Sequence, residues 1–363
     1  MKTLAVLTSG GDSPGMNAAL RAMVKVSAAR GVRVLGVRDG YDGLIDGAMR
    51  ELTVPAAHSV GGLAASHEVD LFGNEGGTLL GSARCARFRE ASHRATAADR
   101  LRALDGLVVI GGNGSLTGAH LLAKECATPI IGIPASIDND IGCTSTALGV
   151  DTALNTIVES CDRIGDTARS HRRAFVIEVM GRQSGYLAMA SAIAAGADAV
   201  LLREQGRTED QIVEAVAAKI RDSFSADRDR RRVLIVKAEG VEVPCTRLVR
   251  RVEERLASEL HGVEIRATVL GHLVRGGRPT YQDRMIAGRL ALGAVEAALS
   301  GITDQMMAWM PPVPGCIPTG DPAVFRVSLE EMLRETEALL DGTSPVTRWR
   351  MKMLDSLENT LGL

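Results

Sequence analysis

Short apolar runs alternate along this chain with longer stretches in which apolar residues recur at helical spacing. The runs at 4–7, 33–37, 107–110 and 129–133 predict buried strands, because each is continuous, brief and bounded by turn residues. Residues 16–29, with Pro14 near the start, predict a helix. So do 96–104 and 149–168, the last with Leu154, Ile157, Val158, Cys161 and Ile164 along one face. The alternation then resumes, with strands expected at 174–179, 199–202, 233–236 and 266–271. Helices are expected after Arg182 and at 210–224, 248–260, 328–340 and 346–361.

The remaining stretches read as connections. Residues 39–43, DGYDG, predict a turn, 55–77 an exposed connection or short helices, 225–232 a charged turn, and 306–320 an ordered, proline-rich linker. The pattern assigns no element to 278–305. Strand and helix alternating in both halves predict an α/β protein of two Rossmann-like three-layer lobes with mainly parallel sheets, its active site in the cleft between them. The expected division is 1–149 plus about 274–325 for one lobe and 150–273 plus about 326–363 for the other. At 363 residues the chain is long enough for two cores.

The densest chemistry lies in 111–152. Glycines follow the apolar run 107–110 directly, and Asp138 and Asp140 follow the run 129–133. Two buried strands are expected to end side by side there, which is where open α/β sheets hold ligands. Glycines let main-chain N–H groups approach phosphate oxygens, and a helix beginning near Ser115 turns its positive end toward them. Carboxylates beside phosphates imply a metal or a base. No GK[ST] follows a glycine run, so phosphoryl transfer without a Walker lysine is the reading that remains. TSGGDSPG after the first strand is a second candidate phosphate loop.

Composition narrows the partners. With 42 basic against 44 acidic residues and 3% aromatics, neither a phosphate-backbone footprint nor base-stacking platforms stand out, which argues against nucleic acid. Six scattered cysteines without CxxC spacing predict reduced thiols and a cytoplasmic protein, and no apolar run reaches membrane-spanning length.

Taken together, LTSGGDSPGMNAAL, GSARC, GGNGSLTGA, SIDNDI, SHRR, EVMGRQSGY, the strand end at Glu239 and RATVLGHLVRGG resemble the 6-phosphofructokinase family in order and spacing. The resemblance implies ATP as phosphoryl donor, Mg2+, fructose 6-phosphate as acceptor, and a homotetramer or at least a homodimer. It places Gly11, Tyr41, Arg84, Cys85, Gly112, Asn113, Gly114 and Ser115 around the nucleotide. Asp138 matches the base, with Ser136, Asp140 and Arg182 completing the catalytic set. Ser136, Asp138, Met180, Gly181, Arg182, Glu239, His272 and Arg275 match the sugar-phosphate site, to which Arg173 and Arg266 are implied to come from a neighbouring subunit. Packing alone would also account for His272, and a turn for Glu239.

The chain departs from the family at several places. Asn113 stands where the family has a metal-facing aspartate, so its amide oxygen is the implied ligand without formal charge. Cys143-Thr144-Ser145 replaces GTD. Gly114 and Ala135 stand where pyrophosphate-using relatives carry an aspartate and a lysine, which favours ATP. Arg21, Arg228, Arg230 and Asp198 match parts of the bacterial effector pocket, but Gly165 replaces an arginine there, so control by that route is not expected. The alternatives are a pyrophosphate-dependent enzyme and a non-catalytic or regulatory paralogue that binds sugar phosphate.

Overall fold

A computed structural model describes residues 1–56, 61–225, 231–259 and 263–356. The chain divides into two compact units, Met1–Thr152 with Arg275–Leu339, and Ala153–Val274 with Leu340–Leu363.

The first unit begins with β1 (Thr3–Ser9), α1 (Met16–Ala29), β2 (Arg33–Val37), α2 (Gly40–Asp46) and β3 (Met49–Glu51). A small antiparallel hairpin, β4 (Thr53–Pro55) and β5 (Leu63–Ala65), and a short helix, α3 (His67–Phe72), occupy the 55–77 stretch, of which 57–60 lie outside the described residues. Then come α4 (Ala91–Leu101), β6 (Gly106–Gly111), α5 (Asn113–Glu125) and β7 (Ile130–Pro134). The second unit holds α6 (Val150–His171, whose first turn belongs to the first unit), β8 (Arg173–Val179), α7 (Tyr186–Ala194), β9 (Ala199–Leu201), α8 (Glu209–Ser223), β10 (Arg232–Ala238), α9 (Cys245–Leu256) and β11 (Ile265–Val269). The chain returns to the first unit with α10 (Tyr281–Leu299), β12 (Gln305–Trp309), β13 (Ile317–Pro318), β14 (Val324–Ser328) and α11 (Leu329–Asp341), and α12 (Pro345–Ser356) follows.

The first sheet runs β13-β14-β12-β7-β6-β1-β2-β3, with a parallel centre from β12 to β2 and antiparallel edges. Its central strands are buried on both faces, as a parallel sheet covered by helices requires. Leu4, Val6, Val108, Ile110 and Ile131 pack against Met23 and Val24 of α1 and Ile286 and Leu290 of α10. On the other face Leu116 of α5 lies so close to Gly132 that a Cβ there would come within 2.6 Å of it. The order reverses between β1 and β6, so the glycine loop after Ser9 and the glycine turn after Ile110 leave the sheet at neighbouring carboxyl ends.

The second sheet, β11-β8-β10-β9, is wholly parallel. Its own reversal lies between β8 and β10, which end at Val179 and Ala238 beside the MGR turn and Glu239.

Four expectations are corrected. Residues 39–43 open a helix rather than a turn, because Gly43 lets α2 pass against the Arg38 carbonyl, where any Cβ would stand 1.7 Å away. Residues 306–320 are not a linker: β12 is a buried strand parallel to β7, and β13 pairs with β14. The unassigned stretch 278–305 contains the 19-residue helix α10. Residues 326–339 belong with the first unit, since Gly142 packs on the α11 backbone and donates to Thr336 Oγ1 at 2.8 Å.

Candidate active site

The glycine turn at the end of β6 is built by contact as well as by conformation. Gly111 lies where a Cβ would come 2.5 Å from the Ser9 carbonyl and 2.7 Å from Ser115, so only glycine lets the two strand ends stay this close. Gly112 caps α5 in an extended conformation, its carbonyl accepting from Ser115 N and Leu116 N at 3.0 Å. The first N–H groups of this helix lack intrahelical acceptors and carry its positive end. Gly114 is exposed, and a Cβ there would meet nothing within 4 Å. Gly11 borders the same unit's other loop, beside Arg275, whose Nη1 donates to the Asp12 carbonyl at 3.1 Å. Arg275, expected with the sugar-phosphate residues, thus lies in the first unit on the glycine loop.

Tyr41 lies beneath the turn rather than on its surface. It is 3% exposed, stacks on Phe88 at a 4.0 Å centroid distance, and donates to the Ser115 carbonyl at 2.6 Å. Burial pushes its phenol well above the usual range. Cys85 donates to Asp42 at 3.0 Å, and burial pushes its thiol up to about 11. Arg84 is exposed. Phe88 and Arg94 escaped sequence reading. Buried Arg94 holds Glu125 at the end of α5 and the Phe88 carbonyl at 3.1 Å, and only the fold brings these groups together.

After β7 the chain carries its carboxylates in a tightly bonded loop. Ser136 Oγ donates to Asp140 Oδ1 at 3.1 Å and accepts from Asp138 N at 3.3 Å. Asn139, between the aspartates, has φ 46° and is 2% exposed. Its amide donates to the Ser145 carbonyl and accepts from Ala147 N, both at 3.1 Å, so asparagine supplies the left-handed conformation and bonds it in place. Ser145, in the replaced GTD segment, turns away to bond the Trp309 carbonyl through both N and Oγ at 2.9 Å. Asp138 and Asp140 are 4% and 8% exposed. Asn113 reaches this loop from the turn, Nδ2 donating to the Asp140 carbonyl at 3.2 Å, while its Oδ1 is buried without a hydrogen-bond partner.

In the second unit, Glu239 Oε1 accepts from Gly181 N at 3.1 Å and from Arg182 N, shaping the turn after Met180. Gly181, at φ 148°, leaves room for the Ser184 carbonyl, 2.5 Å from a Cβ there. Arg182 is exposed with φ 51°, and Met180 is half-buried. Arg173 and Arg266 share one carboxylate, Glu264, at 2.5 and 2.9 Å. His272 is exposed on a single helical turn. Of the residues that match the family's effector positions, Asp198 accepts from Leu234 N at 2.9 Å within its own unit, and Arg228 and Arg230 lie outside the described residues.

The phosphofructokinase family model matches residues 3–298. The ATP-dependent 6-phosphofructokinase of Thermotoga neapolitana is 44% identical over 310 residues, 85% of this chain and 90% of its own length. That of Brevibacillus brevis is 43% identical over 309 residues, 85% and 89% of the two chains. Among solved structures, phosphofructokinase from Saccharomyces cerevisiae superposes with a TM-score of 0.83 at 30% identity, over 99% of this chain and half of the yeast chain. A pyrophosphate-dependent phosphofructokinase from Marinobacter aquaeolei, 20% identical over 92% of this chain and 84% of its own, shares the fold at a TM-score of 0.75. A glycine turn and a carboxylate loop at adjacent strand ends, matched by a family model over most of the sequence, lead to one conclusion: this chain belongs to the phosphofructokinase family.

Proposed function

We propose that this protein is an ATP-dependent 6-phosphofructokinase, which phosphorylates fructose 6-phosphate at its 1-hydroxyl to give fructose 1,6-bisphosphate in glycolysis. The observation that carries the reading is the juxtaposition at the ends of β6 and β7. The glycine turn heading α5 stands beside the loop of Asp138 and Asp140, in a chain 44% identical to an enzyme of that name.

In this reading the N–H groups of Gly112 to Ser115 and the positive end of α5 hold the phosphates of ATP. Asp138 takes the proton of the 1-hydroxyl as that oxygen attacks the γ-phosphorus, when the hydroxyl becomes acidic enough for a carboxylate. Ser136 and Asp140 fix the loop through their 3.1 Å bond. Arg182 offsets charge on the transferring group. Met180, Gly181, Glu239 and His272 bind the sugar. The open space at Gly114 favours ATP, because an acidic side chain there would crowd and repel the α-phosphate.

Mg2+ fits the donor set: Asn113 Oδ1 is an unpartnered oxygen, and hard oxygen donors suit this ion. Among the described residues no cluster of three or more His, Cys, Asp or Glu is arranged to hold a metal, so Asn113 would hold the ion together with nucleotide oxygens. When bound, the ion neutralises phosphate charge.

The same reading makes the protein a cytoplasmic homotetramer, or at least a homodimer, with Arg173 and Arg266 serving a neighbouring subunit's 6-phosphate. Their shared hold on Glu264 keeps both guanidinium groups together, and guanidinium forks match phosphate geometry. No helix among the described residues is long and apolar enough to cross a membrane.

A coupled assay across ATP and pyrophosphate, with fructose 6-phosphate and other phosphorylated ketoses, tests the proposal. Turnover of fructose 6-phosphate with ATP is expected. Turnover with pyrophosphate alone would overturn the choice of donor, and none with either donor would overturn the activity.

A further inference from the structure

Asp283, in the first turn of α10, is fully buried and stands apart from the site residues described above. Its Oδ1 accepts from Gly149 N at 2.9 Å, and its Oδ2 accepts from Thr152 N at 2.9 Å and Thr152 Oγ1 at 2.5 Å. These donors lie at the start of α6, where main-chain N–H groups have no intrahelical acceptor. One carboxylate from a helix far along the chain therefore caps α6 and meets its positive end.

Gly149 is also where the loop of the two aspartates ends. Its neighbour Leu148 is tied back to the start of that loop, donating to the Pro134 carbonyl at 3.0 Å and accepting from Ser136 N at 3.2 Å. Ser136 in turn bonds Asp138 N and Asp140 Oδ1. A chain of hydrogen bonds thus runs from Asp283 through Gly149 and Leu148 to both catalytic-loop aspartates.

The other glycine loop closes on the same point. A Cβ on Gly15 would lie 3.6 Å from that of Asp283, and one on Gly149 would lie 2.7 Å from that of Ser13. Burial outweighs the hydrogen bonds and raises the Asp283 carboxyl, so ionising it costs more in the folded protein than in the unfolded chain.

We propose that Asp283 is a positioning residue for phosphoryl transfer, holding the 136–149 loop so that Asp138 stands at its reacting distance. The inference rests on the phosphofructokinase reading.

Asp283→Asn tests it, because an amide keeps the shape but turns an NH2 toward one set of donors. The expected result is a fall in kcat of about 10- to 100-fold, since small misplacements in an active site have effects of that size. KM for fructose 6-phosphate is expected to stay within about threefold. The unfolding midpoint should fall, because buried donors lose their acceptor, but kcat per folded molecule should fall as well, a split that loss of folded protein alone would not produce. Thr152→Val should lower kcat in the same direction and Thr152→Ser should restore it. Amide hydrogen exchange of 136–149 should quicken in Asp283→Asn.

Unchanged kcat, a loss that merely follows the folded fraction, or unchanged exchange in 136–149 would overturn the proposal. The exchange measurement needs no turnover, so an inactive wild type would refute the phosphofructokinase reading while still reporting whether Asp283 holds the loop.

Discussion

The Tyr41 hydroxyl donates a 2.6 Å hydrogen bond to the Ser115 carbonyl, joining the buried start of α2 to the glycine turn that opens α5. Gly118 receives the edge of the ring, which a Cβ there would meet at 3.0 Å. Tyr41→Phe keeps the packing and deletes one hydrogen bond, a cost of about 0.5–1.5 kcal/mol. Denaturant unfolding should report that loss, and KM for ATP should rise a few-fold with kcat little changed. A variant with wild-type midpoint and KM would make the bond dispensable.

Gly114→Asp adds bulk and charge together at a position where no protein atom lies in the way. The position is open, and an acidic residue in the first turn of a helix is favourable by about 0.3–1 kcal/mol, so stability should hold or rise. Facing the α-phosphate, the same charge should raise KM for ATP at least about tenfold, or roughly 1.4 kcal/mol. Unchanged KM would place the nucleotide elsewhere.

Asn113→Asp adds a formal charge beside an oxygen that lacks a hydrogen-bond partner. The variant should need less Mg2+ for half-maximal activity. In the absence of the ion it should lose stability, because an oxygen replaces the Nδ2 donor that bonds the Asp140 carbonyl. Superimposable Mg2+ titrations would remove Asn113 from the metal site.

Asp138→Asn removes the proposed base while keeping its size. Turnover should fall by about 100- to 10,000-fold, the usual contribution of a positioned base. Fructose 6-phosphate binding, followed by calorimetry, should change little. Near-normal turnover would reassign the base.

Buried thiols predict an alkaline limit. Burial pushes Cys161 and Cys245 up to about 11 and Cys143 to about 12, whereas an unfolded thiol titrates near 8.5. The folded state holds these protons more tightly. Their contribution to stability is therefore full below about pH 8.5 and is lost as pH rises toward 11. Thermal midpoints should fall over that interval, and the slope should be shallower in a Cys161→Ala/Cys245→Ala variant. Parallel slopes would assign the limit to other groups.

How much was legible depends on where each residue's partners lie. α1 and β2 occupy the stretches expected from local pattern, because half-buried helices and short buried strands leave their period in adjacent residues. α10 left no such trace. Its buried residues, from Ile286 through Ala298, surround much of its circumference, so apolar side chains fall on several faces. A local signal did exist: Thr280 three residues before Asp283 has the spacing of a capping box, and Thr280 Oγ1 accepts from Asp283 N. β12 was hidden for another reason, since its place in the sheet comes from β7, far away in sequence.

The α/β class, the glycine turn at 111–115 and the loop of paired aspartates can be read from residue order alone, because these rest on short-range pattern and on residue types with few conformational alternatives. That Tyr41 is a buried brace, that Arg275 lies on the first glycine loop, and that Asp283 caps the helix following the aspartates emerges from the folded chain. Those roles arise from contacts between segments 74 to 263 residues apart, which leave no mark in neighbouring positions.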